Sequence, residues 1–289
     1  MQSTLDLSIK KHELNTVNGG YGKYQAYMDE SVWKVFVEDM KEQHPAAYEQ
    51  YGAGSGGELN PVGNLPPKMA SYGSSSRMIY NLSKHISDFY FEYKLPTTIG
   101  GVANMDGYIE LPDKHVFVEA KCREPYNVKS VSPSEKYKGV YKYLNDSDNP
   151  LGVTYITEDG KTTVQFSVGT TPVRYLDVKQ IICHLLGIAT RFLTYPSEKS
   201  VNFVYLCFSP AYIKIIDSKK EDKILEVYEC MCEEFRLLDV KAIFADIVIY
   251  LSEKYKRICN ATPIGISKLI DGFDSILCDQ VDYVSLLRK

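Results

Sequence analysis

Alternation between apolar and polar positions is sharpest from Phe89 to Lys121. Phe89–Leu95 is a short run rich in aromatic residues; after Pro96–Gly101, two more runs, Asn104–Leu111 and Lys114–Lys121, flank Pro112-Asp113. Such runs around a Pro-Asp turn predict a β-hairpin, with Phe89–Leu95 as the strand before it. If the turn is the two residues Pro112 and Asp113, Leu111 faces Lys114 and, counting outward, Asp106 faces Glu119. Strand alternation then puts Met105, Gly107, Ile109, Val116, Val118 and Ala120 on a core-like face and Asp106, Tyr108, Phe117, Glu119 and Lys121 on the other.

On either side of the hairpin the spacing turns helical. Met28, Val32, Trp33, Val35, Phe36 and Met40 predict a helix over 25–43, ended by His44-Pro45, with another turn at 46–51. Ser74-Ser75-Ser76 ahead of Met78, Ile79, Leu82 and Ile86 predicts a serine-capped helix. The clearest helix runs from Asp177 to Leu193. It buries Val178, Ile181, Ile182, Leu185, Leu186, Ala189, Phe192 and Leu193 and leaves Gln180, His184, Gly187 and Arg191 as a polar stripe. Val201–Phe208 is continuously apolar, as a strand buried on both faces would be. Residues 153–156 and 162–168 alternate like a second hairpin, Ile224–Leu238 and Val240–Leu251 keep helical spacing, and 263–289 is expected to be helical in part. The expected fold is α/β, a mixed central sheet flanked by helices with helical additions at both ends. Its division is an N-terminal arm, helix and Gly-rich linker over 1–73 packed on a core over 74–289, with an insertion at 125–175.

Opposed side chains on one sheet face have Cβ atoms roughly 4.5–5.5 Å apart, and like charges there repel. Asp106 opposite Glu119, with Lys121 along the same strand, therefore has the form of a cation site. Mg2+ takes oxygen ligands and is commonly held by one or two carboxylates together with substrate phosphates. A lysine beside it can orient a water or neutralise charge developing on a phosphate.

Asp106 followed after a short turn by Glu119-Ala120-Lys121 resembles the PD-(D/E)XK nuclease superfamily, the restriction-endonuclease-like fold. The motif covers about twenty residues, and the order of the flanking elements extends the likeness over Ser74–Phe208. Met105 stands where that pattern often has Pro. The resemblance implies Mg2+, replaceable by Mn2+, held by Asp106 and Glu119 with help from the Ala120 carbonyl, while Lys121 assists the attacking water. It also implies a role for Gln180 on the following helix, with His184 a second candidate; capping by Asp177 is the competing account of Gln180. Glu58, after the glycine-dense 52–57, is the candidate for an extra acidic ligand, against a plain glycine linker with a solvated Glu. That glycine segment ends Gly-Glu-Leu, which excludes a P-loop. Arg77, at a helix start, and Arg123, on the Glu119/Lys121 face, are candidates for phosphate contact, against ordinary capping and a solvated strand end. Lysines 129, 136, 138 and 142 interleaved with tyrosines 126, 137, 141 and 143 would suit a basic stacking surface.

Composition narrows the setting. A formal charge of −4 means that nucleic acid must meet a local basic patch or a bound cation, since bulk charge does not attract it. Seven cysteines at 122, 183, 207, 230, 232, 259 and 278 are odd in number and scattered without a CxxC pair, which predicts free thiols in a reducing compartment. With no signal-like apolar run and no membrane span, a cytoplasmic protein without a membrane partner is expected. The resulting expectation is a Mg2+-dependent endonuclease hydrolysing DNA, of restriction type and acting as a homodimer if it cuts both strands. The alternatives are a nucleic-acid-binding or assembly module that keeps the fold without cleavage, and an RNA-directed nuclease.

Overall fold

The computed structural model describes residues 14–17, 25–54, 57–61, 63, 66–71, 73–122, 131–149, 151–207 and 221–287. Its centre is a mixed five-stranded sheet containing β3 (Tyr90–Pro96), β4 (Val102–Glu110), β5 (Lys114–Lys121), β9 (Ser200–Cys207) and β10 (Phe273–Cys278). Its order is β10-β9-β5-β4-β3, antiparallel from β3 to β5 and parallel from β5 to β10. Central β5 is buried along nearly its whole length, as expected of a strand covered on both faces.

One face of the sheet packs on α5 (Val178–Thr194) and α7 (Val240–Lys254), with α4 (Glu135–Asp146) and a small sheet of β6 (Leu151–Glu158), β7 (Lys161–Val168) and β8 (Thr171–Pro172) beyond them. The other face packs on α1 (Glu30–Gln43), α2 (Pro45–Gly52), α3 (Ser75–Ser83) and α9 (Gln280–Leu287). α6 (Glu221–Leu237) and α8 (Pro263–Asp271) complete the described helices, none of which is long and apolar enough to cross a membrane. The seven cysteines are free.

Several expectations change. The helix foreseen over 25–43 starts only at Glu30, because Gln25–Met28 is a strand, β2, paired antiparallel with β1 (Leu14–Val17). Pairing with a distant segment overrides the local spacing. The segment 263–289 is helical in part as expected, but Phe273–Cys278 within it is a strand not foreseen, the parallel edge strand β10 on β9. The Lys/Tyr stacking surface does not form as foreseen: Tyr137 and Tyr141 lie on the inner face of α4 at 4% and 2% exposure, while Lys136, Lys138 and Lys142 are exposed. Lys129 and Tyr126 fall outside the described residues.

Candidate active site

The hairpin has the expected register. Leu111 N–H donates to the Lys114 carbonyl at 2.8 Å, and the ladder runs from Glu110↔His115 to Gly107↔Val118. Its last rung, Gly107↔Val118, lies just before Asp106 and Glu119. There Asp106 Oδ2 accepts from the Ala120 N–H at 2.7 Å, while Glu119, Ala120 and Lys121 continue their pairing with β9. A side-chain oxygen thus takes the place of a ladder carbonyl where the two strands part.

The faces depart from simple alternation at the same place. On β4, Ala103 and Met105 join the core on the α5 side, whereas Ile109 joins the opposite core. On β3, Leu95 lies on the α5 side and Phe91 on the other. Both strands therefore change faces at the same level, that of Glu92 and Asp106, which corrects the expectation that Met105 shares a face with Ile109. The cause is visible at Glu92, whose φ of 51° puts a non-glycine residue in the left-handed region inside a strand. Such conformations cost on the order of 1–3 kcal/mol and persist where the surroundings over-determine them.

From the α5 side come two more groups. Asp177 caps the helix by accepting from the Gln180 N–H at 2.9 Å, so both readings of that residue hold together: its backbone is capped and its side chain reaches the hairpin. Lys121 Nζ donates to Glu119 Oε1 at 2.5 Å and to Gln180 Oε1 at 2.6 Å. His184 Nε2 lies 2.8 Å from Glu119 Oε2, and both of its ring nitrogens are buried without a hydrogen bond of good geometry among the described residues. The polar stripe of α5 accordingly faces the sheet. Gly187 permits this, because a Cβ there would come within 2.8 Å of Leu95 Cβ and 2.9 Å of Ala103 Cβ.

Glu58 is 7% exposed and paired with Lys68 at 3.3 Å. Its segment is pinned by Lys68 N–H to the Gly57 carbonyl and Met69 N–H to the Glu58 carbonyl, while Gln50 Oε1 accepts from the Phe91 N–H at 2.7 Å. This brings Glu58 within electrostatic reach of Glu92.

The carboxyls titrate unlike one another. Burial, then the Glu119 charge, drives Asp106 well above the usual carboxylate range against the pull of Lys121 and the Ala120 N–H. Burial would raise Glu119 too, but Lys121 and His184 outweigh it and hold the group at about 2. Burial, Glu58 and Glu119 push Glu92 up to about 7, with Lys68 and Lys94 opposing. Negative charge is in excess around Asp106.

Of the foreseen residues, contacts join Asp106, Glu119, Ala120, Lys121 and Gln180, and Glu58 stands one step away through Glu92. Arg77 is 4% exposed, its N–H capped by Ser74 Oγ at 3.2 Å; its side chain is not set at an open surface. Arg123 lies outside the described residues. Glu92 was missed. A lone Glu in an aromatic strand was its signal, but the Thr97–Gly101 connection is too long for sequence to fix which residue faces Asp106.

An implied Mg2+ would meet hard oxygen donors here, on adjacent strands, beside carboxyls that burial first and neighbouring carboxylates second push upward. Among the described residues no three His, Cys, Asp or Glu side chains are already gathered as a metal cluster. The fit is therefore that of a two-carboxylate site completed by water and substrate. Comparison with known proteins finds no matching family model, curated protein or solved structure.

Proposed function

We propose that the chain is a metal-dependent phosphodiesterase of the restriction-endonuclease-like kind, acting on DNA. The observation that carries this is Lys121 Nζ, held between Glu119 and Gln180 beside Asp106 at the point where β4 and β5 part. Asp106, Glu119 and the Ala120 carbonyl would hold the cation, which when bound supplies Lewis-acid stabilisation of the phosphate and a more acidic water. Lys121 presents a fixed positive charge to the oxygen on which charge develops. Glu119 and Gln180 orient that ammonium, and His184 helps keep Glu119 ionised at neutral pH. Glu92 lies on β3 between the rungs Phe91↔Gly107 and Tyr93↔Met105, level with Asp106 on β4, where its charge bears on the cation site.

The test is cleavage of supercoiled plasmid, single-stranded DNA and a matched RNA with Mg2+ or Mn2+, using wild type, Asp106→Ala and Lys121→Ala after circular dichroism confirms folding. Metal-dependent cutting of DNA that drops about a hundredfold or more in both variants is expected, the scale lost with one preorganised electrostatic group. Variants that cut as well as wild type would overturn the site, and cutting of RNA alone would move the substrate class.

One observation favours a second reading. Both oxygens of Glu119 are engaged, one by Lys121 and one by His184. A nucleic-acid-binding or assembly module without cleavage would keep that closed arrangement. Mn2+ titration separates the two: binding that disappears in Asp106→Ala supports the nuclease, and no binding by wild type selects the module.

A further inference from the structure

The helix that brings Gln180 to the carboxylates continues to Arg191, eleven residues on and about 16 Å away at 1.5 Å per residue. Arg191 lines a cleft of about 650 Å³ with Tyr90, Tyr93, Tyr108, Glu110 and Lys199, at the turn end of the hairpin. Tyr93 and Tyr108 are stacked with centroids 4.3 Å apart, and Tyr90, 46% exposed, lies 6.0 Å from Tyr108 and 6.1 Å from Tyr93. The Arg191 guanidinium sits over Tyr93 and Tyr108 at 5.9 and 5.7 Å.

Arg191 has no carboxylate partner among the described residues, and its Nε is buried without a hydrogen-bond acceptor. Glu110, the carboxylate at the turn, is taken by Lys199 at 2.7 Å and by the Tyr108 hydroxyl at 3.4 Å. The Tyr108 hydroxyl engages Arg191, and a planar guanidinium carries further donors with which to recognise phosphate or carboxylate. A half-exposed tyrosine beside it offers a face on which a flat ring can stack. The volume lies within the roughly 300–1,000 Å³ of small-molecule sites and is far larger than a bare phosphate requires.

We propose that this cleft binds a nucleotide, its base stacked on Tyr90 and its phosphate on Arg191. The nucleotide is either a free monophosphate or one unit of a strand. The site lies apart from the carboxylates and needs no metal, so it stands or falls independently of cleavage.

Calorimetric titration of the full chain in EDTA tests it, with adenosine monophosphate, adenosine, inorganic phosphate and a short oligodeoxyadenylate as probes, on wild type, Tyr90→Ala and Arg191→Gln. Adenosine monophosphate should bind more tightly than adenosine or phosphate. Tyr90→Ala should weaken it about fivefold or more, the loss of one base–aromatic stack, and Arg191→Gln should erase its advantage over adenosine. Oligonucleotide binding sensitive to both substitutions, without monophosphate binding, assigns the site to a strand. Absence of saturation by either probe at millimolar concentration overturns the proposal, as does unchanged binding in Tyr90→Ala, whose exposed side chain can be removed without disturbing the core.

Discussion

The two ends of the β4–β5 hairpin each carry a Lys–Glu pair, in opposite surroundings. At the turn, Lys199 and Glu110 have side chains 31% and 48% exposed. At the open end, Lys121 and Glu119 are 6% and 2% exposed. Around the exposed pair, Glu110 is only lowered by its hydrogen bond to Lys199 and remains an ordinary carboxylate. Around the buried pair, one carboxyl is held at about 2 while its neighbour Asp106 is forced well above its usual range. The same letters give a solvent-screened ion pair at one end and strongly perturbed carboxyls at the other, and burial makes the difference.

Removing the ammonium from each pair should break this comparison most visibly. Lys121→Met leaves buried Glu119 beside half-buried Asp106 without the ammonium between them, and should cost about 3–5 kcal/mol, the scale for losing one partner of a buried pair. Lys199→Met should cost no more than about 1 kcal/mol. Urea denaturation of both variants at pH 7 measures the contrast. Equal costs would mean that the open end is wetter than its exposure indicates.

Sequence made the hairpin legible because both its signals are local: a two-residue turn fixes the register, and the register fixes that Asp106 meets Glu119. The capped starts of α3 and α5 were legible for the same reason, since Ser74 and Asp177 each reach an N–H three residues away. What stayed hidden depends on partners far along the chain. Phe273–Cys278 is a strand only because β9 lies beside it, and Gln25–Met28 is one only because 14–17 pairs with it. Glu92 was hidden doubly, by a connection too long to count across and by a left-handed backbone that no side-chain pattern announces. Spacing alone showed Gln180 and His184 only as part of a polar stripe, and their reach toward the hairpin came from the resemblance; the glycine that lets α5 approach the sheet looks like any other small residue until Leu95 and Ala103 are seen beneath it.

That glycine gives the next sharpest test. Gly187→Val adds atoms where even a Cβ would meet two others below 3 Å. It should destabilise by about 1–3 kcal/mol, as overpacking does. Lifting α5 also draws Gln180 away from Lys121, so cleavage should fall further than the same loss of stability produces in a variant remote from α5. Cleavage that merely tracked the folded fraction would show that Gln180 is not needed to hold the ammonium.

The smallest expected effect separates two left-handed residues, one at each end of the structure just compared. Glu92 has φ 51° beside the carboxylates, and Asp88 has φ 58° at the cleft. Glycine relieves left-handed strain worth about 1–2 kcal/mol per residue, but Asp adopts that conformation readily and Glu does not. Asp88→Gly should therefore change stability by less than about 0.5 kcal/mol, whereas Glu92→Gly should stabilise the metal-free protein by about 1 kcal/mol while weakening cleavage. The pH dependence gives the sign independently. Glu92 in the folded protein holds its proton up to about 7, against an ordinary 4.5, so the fold binds that proton more tightly than the unfolded chain does. Its contribution is fully present below 4.5 and is lost as pH rises through 7. Glu119 has the opposite sign and acts only as pH falls from 4.5 toward 2, outside that window. Denaturation midpoints between pH 5 and 8 in EDTA should thus fall with rising pH more steeply in wild type and Asp88→Gly than in Glu92→Gly; parallel profiles in all three would mean that Glu92 is already ionised and that its backbone, not its charge, is what the site requires.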